Sequence, residues 1–277
     1  MAEDDLERMR RRRESDQYNE RGIEAADRQW FEEAERAFRR AIELDPESAH
    51  AHDNLATVYS EQGEFLPALR EYLEAIRLEP DNPTAHYNLA CFLSAQGPDV
   101  AIQEYQEAIK LEFEYPDAHV NLGLCYVEQG EHEKAIQEFR VACDIDPSDL
   151  GARQELAASL IDIEEYAEAI RHLKEVRKAD PENLDALIDL GIAYSAKGFY
   201  AEAERAFLDA LVLEPHELLA GYHLAALYSA WSRPEDALEQ LRKVMALDPD
   251  RVRAWLDADR TFDTLRDDPT FRAVYES

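Results

Sequence analysis

Side chains able to hold a metal or move a proton are spread through this chain of 277 residues, and their spacing decides what they can do. His52, His86 and His119 recur 34 and 33 residues apart. They occupy a place that other copies of the same period fill with Tyr18 or Leu187, which assigns them to packing and not to a metal row. His216-Glu217 opens like the zinc-protease helix motif, in which two histidines four residues apart hold the metal and the glutamate acts as base. Ala220 stands where the second ligand must be, so the motif fails. Glu164-Glu165 and similar pairs have no spacing beyond what any acidic helical chain supplies. Cys91, Cys125 and Cys143 contain no Cys-x-x-Cys pair and read as small hydrophobes in a reducing, cytoplasmic setting. Neither catalysis nor a metal or cofactor is expected, and the chain is expected not to be an enzyme.

The elements that carry these residues are set by a period. Pro46, Pro80, Pro147, Pro181, Pro215 and Pro249 recur at 34 residues, with one gap of 67 that hides a shortened copy marked by Ala101, Tyr105 and Ala108. Twelve residues before each of those prolines stands alanine: Ala34, Ala68, Ala135, Ala169, Ala203 and Ala237. Each copy holds two amphipathic stretches. Leu55, Ala56 and Tyr59 give one helical stripe, Gly63 breaks it, and Ala68, Tyr72 and Ala75 mark the next. Pro80 then stops the second helix, because proline lacks the amide proton and clashes with the preceding turn. Leu122, Gly123, Tyr126, Gly130, Ala135, Phe139 and Pro147 repeat the order, as do Leu190, Gly191, Tyr194, Gly198, Ala203, Phe207 and Pro215. A fixed period of this length marks a repeat array.

This order of large and small residues resembles the tetratricopeptide repeat (TPR) family. The resemblance implies an all-α fold, an α-solenoid of seven helix-turn-helix repeats in a right-handed superhelix. The repeats are expected at residues 15–48, 49–82, 83–115, 116–149, 150–183, 184–217 and 218–251. Gly22, Gly123 and Gly191 take the small position of the first helix, and Gly63, Gly97, Gly130 and Gly198 the turn. Gly151 and Gly221 fall outside both sets. The third copy has lost a residue near Gly97-Pro98 and carries Phe113 for its terminal proline, so an irregularity is expected between the third and fourth repeats. Residues 252–277, with Trp255, Phe262, Leu265, Phe271 and Val274, resemble the closing segment of bacterial TPR arrays and are expected to cover the last repeat. Residues 1–14 form a charged arm in which Glu3-Asp4-Asp5 precedes Arg10–Arg13. No apolar run is long enough to cross a bilayer, and the first residues lack the apolar centre of a signal peptide.

TPR arrays bind extended peptides on the face lined by the first helix of each repeat. Carrying over the family's six groove positions places Asp16, Glu20, Asp27, Asp53, Glu61, Asp117, Glu128, Glu155, Asp162, Asp185 and Asp189 there, with no lysine or arginine. Such a lining favours a basic or neutral guest. It disfavours the carboxylate clamp of TPR co-chaperones, for which Asn19, Ile23, Asp53 and Thr84 are the wrong residues. A net charge of −31 argues against nucleic acid, whose binding requires cations for the phosphates. The sixth position reads Glu20, Asn54, Asn88, Asn121, Glu155, Asp189 and His223. The three asparagines resemble the ladder of O-linked N-acetylglucosamine transferases, where the amide holds a peptide backbone by donating and accepting. Tyr87, Val120, Leu124, Val127, Ile161, Ile188, Ile192 and Tyr222 form an apolar strip beside them. Two functions follow: an adaptor that holds a partner's peptide segment, or a homo-oligomeric scaffold in which the Arg10–Arg13 arm of one copy enters the groove of the next.

Overall fold

The computed structural model of the chain describes residues 2–276, with side chains from residue 5 onward. All regular structure among these residues is helical, and it gathers into two compact units, Met1–Asp146 and Pro147–Ser277. In the first unit α1 (Ala2–Asp27) pairs with α2 (Phe31–Leu44), α3 (Ala49–Glu61) with α4 (Phe65–Leu78), α5 (Pro83–Ser94) with α6 (Pro98–Leu111), and α7 (Pro116–Glu128) with α8 (His132–Ile145). In the second, α9 (Leu150–Asp162) pairs with α10 (Tyr166–Ala179), α11 (Leu184–Ala196) with α12 (Tyr200–Leu213), and α13 (Leu218–Ala230) with α14 (Pro234–Met245). α15 (Pro249–Ala258), a 3-10 turn at Arg260–Phe262 and α16 (Pro269–Tyr275) follow.

The small residues of the period are where the helices meet. Ala34, Ala68, Ala101, Ala135, Ala169, Ala203 and Ala237 are all completely buried, at 0% exposure. Gly123 faces Phe139 so closely that an added Cβ would lie 2.6 Å from the ring, and Gly22 and Gly191 face Phe38 and Phe207 in the same way. An aromatic ring thus fills the space a side chain would need, at the packing density of a protein interior. Gly221, unassigned by the period, does the same work in α13: its Cβ would sit 2.6 Å from Val244.

The connections inside each pair pass through one left-handed residue. Gly63, Gly130 and Gly198 hold φ between 72° and 76°, and the same turn is made by Gln29, Glu164 and Ser232 at 61°, 65° and 59°. Gly97 differs, at 136°. The missing residue of the third copy falls inside the α5–α6 turn, near Gly97-Pro98, and the irregularity expected between the third and fourth copies lies in that turn instead. The α6–α7 connection is regular in what it presents: the Phe113 carbonyl accepts from His119 as the Pro46 and Pro80 carbonyls do from His52 and His86.

At the end of the second unit Phe262 and Phe271 are buried at 0% and 4%, in one apolar cluster with Leu224, Leu241 and Val244. Burial of one such ring contributes about 1.5–3 kcal/mol. At the start of the first, α1 crosses residues 14 and 15 without a break. Its Ser15 hydroxyl donates to the Ala41 carbonyl at 2.8 Å, and Arg12 and Arg8 pair with Asp45 and Glu47 at 3.0 and 3.3 Å. The side chains of Glu3 and Asp4, expected to lead the charged arm, lie outside the described residues. No helix among the described residues is long and apolar enough to cross a membrane.

Candidate functional site

The asparagines of the sixth position link the first helices of successive pairs in the first unit. Asn54 donates through Nδ2 to Asn19 Oδ1 at 3.0 Å, Asn88 to Asp53 Oδ2 at 2.7 Å, and Asn121 to the Tyr87 hydroxyl at 3.0 Å. Each amide reaches back 34 or 35 residues to the fifth position of the preceding copy. One N–H of every amide is therefore committed to the stack, and the Asn121 amide also donates to Cys91 Sγ at 3.8 Å, while the amide oxygens remain for a guest. The sequence gives no sign of this internal bond. Tyr87 and Leu124 beside them are half-buried. Tyr87 packs against Tyr115, with ring centroids 4.8 Å apart and planes tilted by 34°.

Asp53 is the unbalanced group of this face. Its Oδ2 accepts from Asn88, but its Oδ1 is shut from solvent with no hydrogen-bond partner, beside a small cavity of about 100 Å³ lined by His50, Asn82 and Thr84. Burial pushes its carboxyl up to about 6, although the Asn88 bond and His50 pull the other way. The second unit repeats the situation with different neighbours. Asp189 makes no hydrogen bond or ion pair among the described residues, and burial, with Asp185, Glu155 and Asp162 adding like charge, pushes it up to about 7. Glu155 is raised as well, by burial first and then by Asp185. Isolated buried carboxylates of this kind are destabilising until a cation reaches them. Of the other residues named for the second unit, Ile188 and Tyr222 are buried, at 4% and 5% exposure, so Ile188 serves the core first. His223 is half-buried and stacks on Phe207 at 6.0 Å, and burial holds it below its ordinary pKa.

Models described as tetratricopeptide repeat match residues 19–65, 92–149 and 160–227, and one described as TPR repeat matches 58–97. The chain belongs to the tetratricopeptide repeat family. Solved structures agree on the TPR fold. PilF of Pseudomonas aeruginosa is 25% identical over 76% of this chain and 96% of its own, with a TM-score of 0.66. The C-terminal part of a TPR repeat-containing protein of Cytophaga hutchinsonii is 18% identical over 82% of this chain and 94% of its own, with a TM-score of 0.68. YrrB, described as a TPR protein with an unusual peptide-binding site, is 22% identical over 65% and 93%, with a TM-score of 0.59. No curated protein matches the sequence.

Within this TPR chain the histidines do more than pack. His52, His86 and His119 each bring Nδ1 within 2.6, 2.7 and 2.6 Å of a carboxylate on the paired helix: Glu71, Glu104 and Glu138. Each Nε2 meets the backbone carbonyl six residues earlier, at 3.4, 3.0 and 3.0 Å. The result is a clasp from first helix to second helix to connecting loop, repeated three times. The shortened third TPR copy keeps it, with 18 residues between partners in place of 19. The signal is in the sequence, since a glutamate on the second helix of the same copy recurs in step with each histidine.

Proposed function

We propose that the protein is a non-enzymatic TPR adaptor whose first-helix faces hold an extended, cationic segment of a partner protein. The observation that carries this reading is the pair of uncompensated carboxylates, Asp53 in the first unit and Asp189 in the second, each half-buried and pushed well above the usual carboxylate range. A lysine or arginine brought to either supplies the missing counter-charge. The free oxygens of Asn54, Asn88 and Asn121 accept from a peptide backbone beside Asp53, giving affinity with little regard to sequence. The peptide-binding site ascribed to YrrB is consistent with such a role. Within the Arg10–Arg13 arm of the scaffold alternative, Arg12 is engaged by Asp45 and Arg11 by Glu7 of the same unit.

Fluorescence anisotropy with short basic, neutral and acidic peptides tests the reading. Basic peptides should bind most tightly at low salt, and Asp53→Asn with Asp189→Asn should weaken them by about tenfold or more. Binding should also strengthen as pH rises through about 6 to 7, because the guest requires the ionised carboxylates. Equal binding of acidic and basic peptides would overturn the proposal.

A further inference from the structure

A cleft of about 390 Å³ opens between α13 and α15 in the second unit, at the fifth and sixth positions of the last copy, where Tyr222 and His223 line it. Trp255 is its more open wall and Tyr222, only 5% exposed, backs it, with ring centroids 4.9 Å apart and planes inclined at 59°, so the rings make a corner and not a stack. Asp259 closes a third side. Its Oδ2 accepts from the Tyr222 hydroxyl at 3.0 Å and its Oδ1 from the Thr261 backbone N–H at 2.8 Å. Both oxygens keep lone-pair capacity for a further donor. Leu219 and Ala258 supply the apolar rim. Arg266, a nearby cation, is taken up by the carbonyls of Leu256 and Asp259 and by Asp263.

We propose that this corner seats the guanidinium of an arginine side chain contributed by the partner segment. The assignment rests on the cationic-guest reading and gives it a residue class. Aromatic faces carry negative quadrupole charge and attract cations. A flat guanidinium slides along such a face and turns its fork of N–H donors to a carboxylate, whereas an ammonium neither stacks nor forks. The chain itself shows that the indole accepts this group: the Arg251 guanidinium, which is not among the residues lining the cleft, already lies over the Trp255 ring at 4.9 Å from its centroid. An aliphatic guest would fill the cleft but leave the remaining acceptor capacity of Asp259 unused.

The test follows the Trp255 indole N–H signal of the full chain by NMR, assigned with Trp255→Phe. The probes are the N-acetyl methylamides of arginine, citrulline, lysine and leucine. The arginine derivative should shift the signal saturably and bind at least about fivefold more tightly than the other three. Asp259→Asn, which keeps the bond to Thr261, should bring arginine down to the level of citrulline. Citrulline is compared on the unaltered protein, so the result does not depend on how the variant folds. Leucine or lysine binding as well as arginine, or no saturable shift, would overturn the assignment. Asp189→Asn should leave arginine at Trp255 unchanged. Basic peptides that ignore Asp53 and Asp189 while arginine still seats here would therefore sink the carboxylate reading alone.

Discussion

Replacing Asp189 with asparagine should stabilise the second unit, and by an amount that grows with pH. The folded carboxyl is pushed from 3.8 up to about 7, first by burial and then by Asp185, Glu155 and Asp162. Below 3.8 both the folded and unfolded chains hold the proton, and the site costs nothing. Between 3.8 and about 7 the unfolded chain releases its proton first, so stability falls as pH rises. Above about 7 the whole penalty is present, and at about 1.4 kcal/mol per pKa unit it amounts to about 4 kcal/mol. Asparagine has nothing to ionise. Its advantage should be about 2 kcal/mol at pH 5.5, clear of the isoelectric point near 4.5, and about 4 kcal/mol at pH 8. Urea unfolding followed by tryptophan fluorescence in a Trp30→Phe background reads this unit through Trp231 and Trp255. An advantage that is the same at both pH values, or no advantage at pH 8, would show that water reaches Asp189 and that the carboxylate is not held at a cost for a guest.

The clasps and the turns give further expectations. His119→Leu leaves the Glu138 carboxylate and the Phe113 carbonyl without their donor and should cost about 1–3 kcal/mol in thermal unfolding. His119→Leu with Glu138→Leu should recover most of that loss, and a single variant as stable as the wild type would show the clasp to be idle. Gly123→Val drives a side chain into Phe139 and should cost about 1–3 kcal/mol or more, seen as a lower midpoint in urea. Glu164→Gly releases a left-handed residue with a Cβ and should stabilise the α9–α10 turn by about 1 kcal/mol, whereas Gly198→Ala should do the reverse.

The helix pairs were legible because their signals are local and repeated. Proline after the second helix, alanine at the crossing and glycine opposite phenylalanine each follow from the sterics of one contact. What escaped the sequence lies between elements. The commitment of the Asn88 amide to Asp53 depends on how two first helices are offset, and no spacing within one helix reports it. Gly221 was invisible because its partner, Val244, occupies a position usually read as simple core. The aromatic corner is only half legible: Tyr222 stands at a repeat position, but Asp259 comes from the segment after the array, where the period carries no information. Ile188 was placed on the binding face, although it is buried. Helical periodicity gives the direction of a side chain, and the neighbouring helix decides whether anything else can reach it.

The clasp has a consequence for how such a chain can change over time. The place held by His52 and Glu71 is filled by Arg153 and His172 in one later copy and by Leu187 and Ala206 in the next. The first and last of these couples do not mix: leucine set against glutamate would strand a charge, and histidine against alanine would leave an empty space. Recombination that cuts between the two helices of a copy therefore yields mismatched hybrids, whereas a cut in the loop between copies moves a compatible couple as one cassette. The unit of inheritance, and of any engineered shuffling, is the whole hairpin.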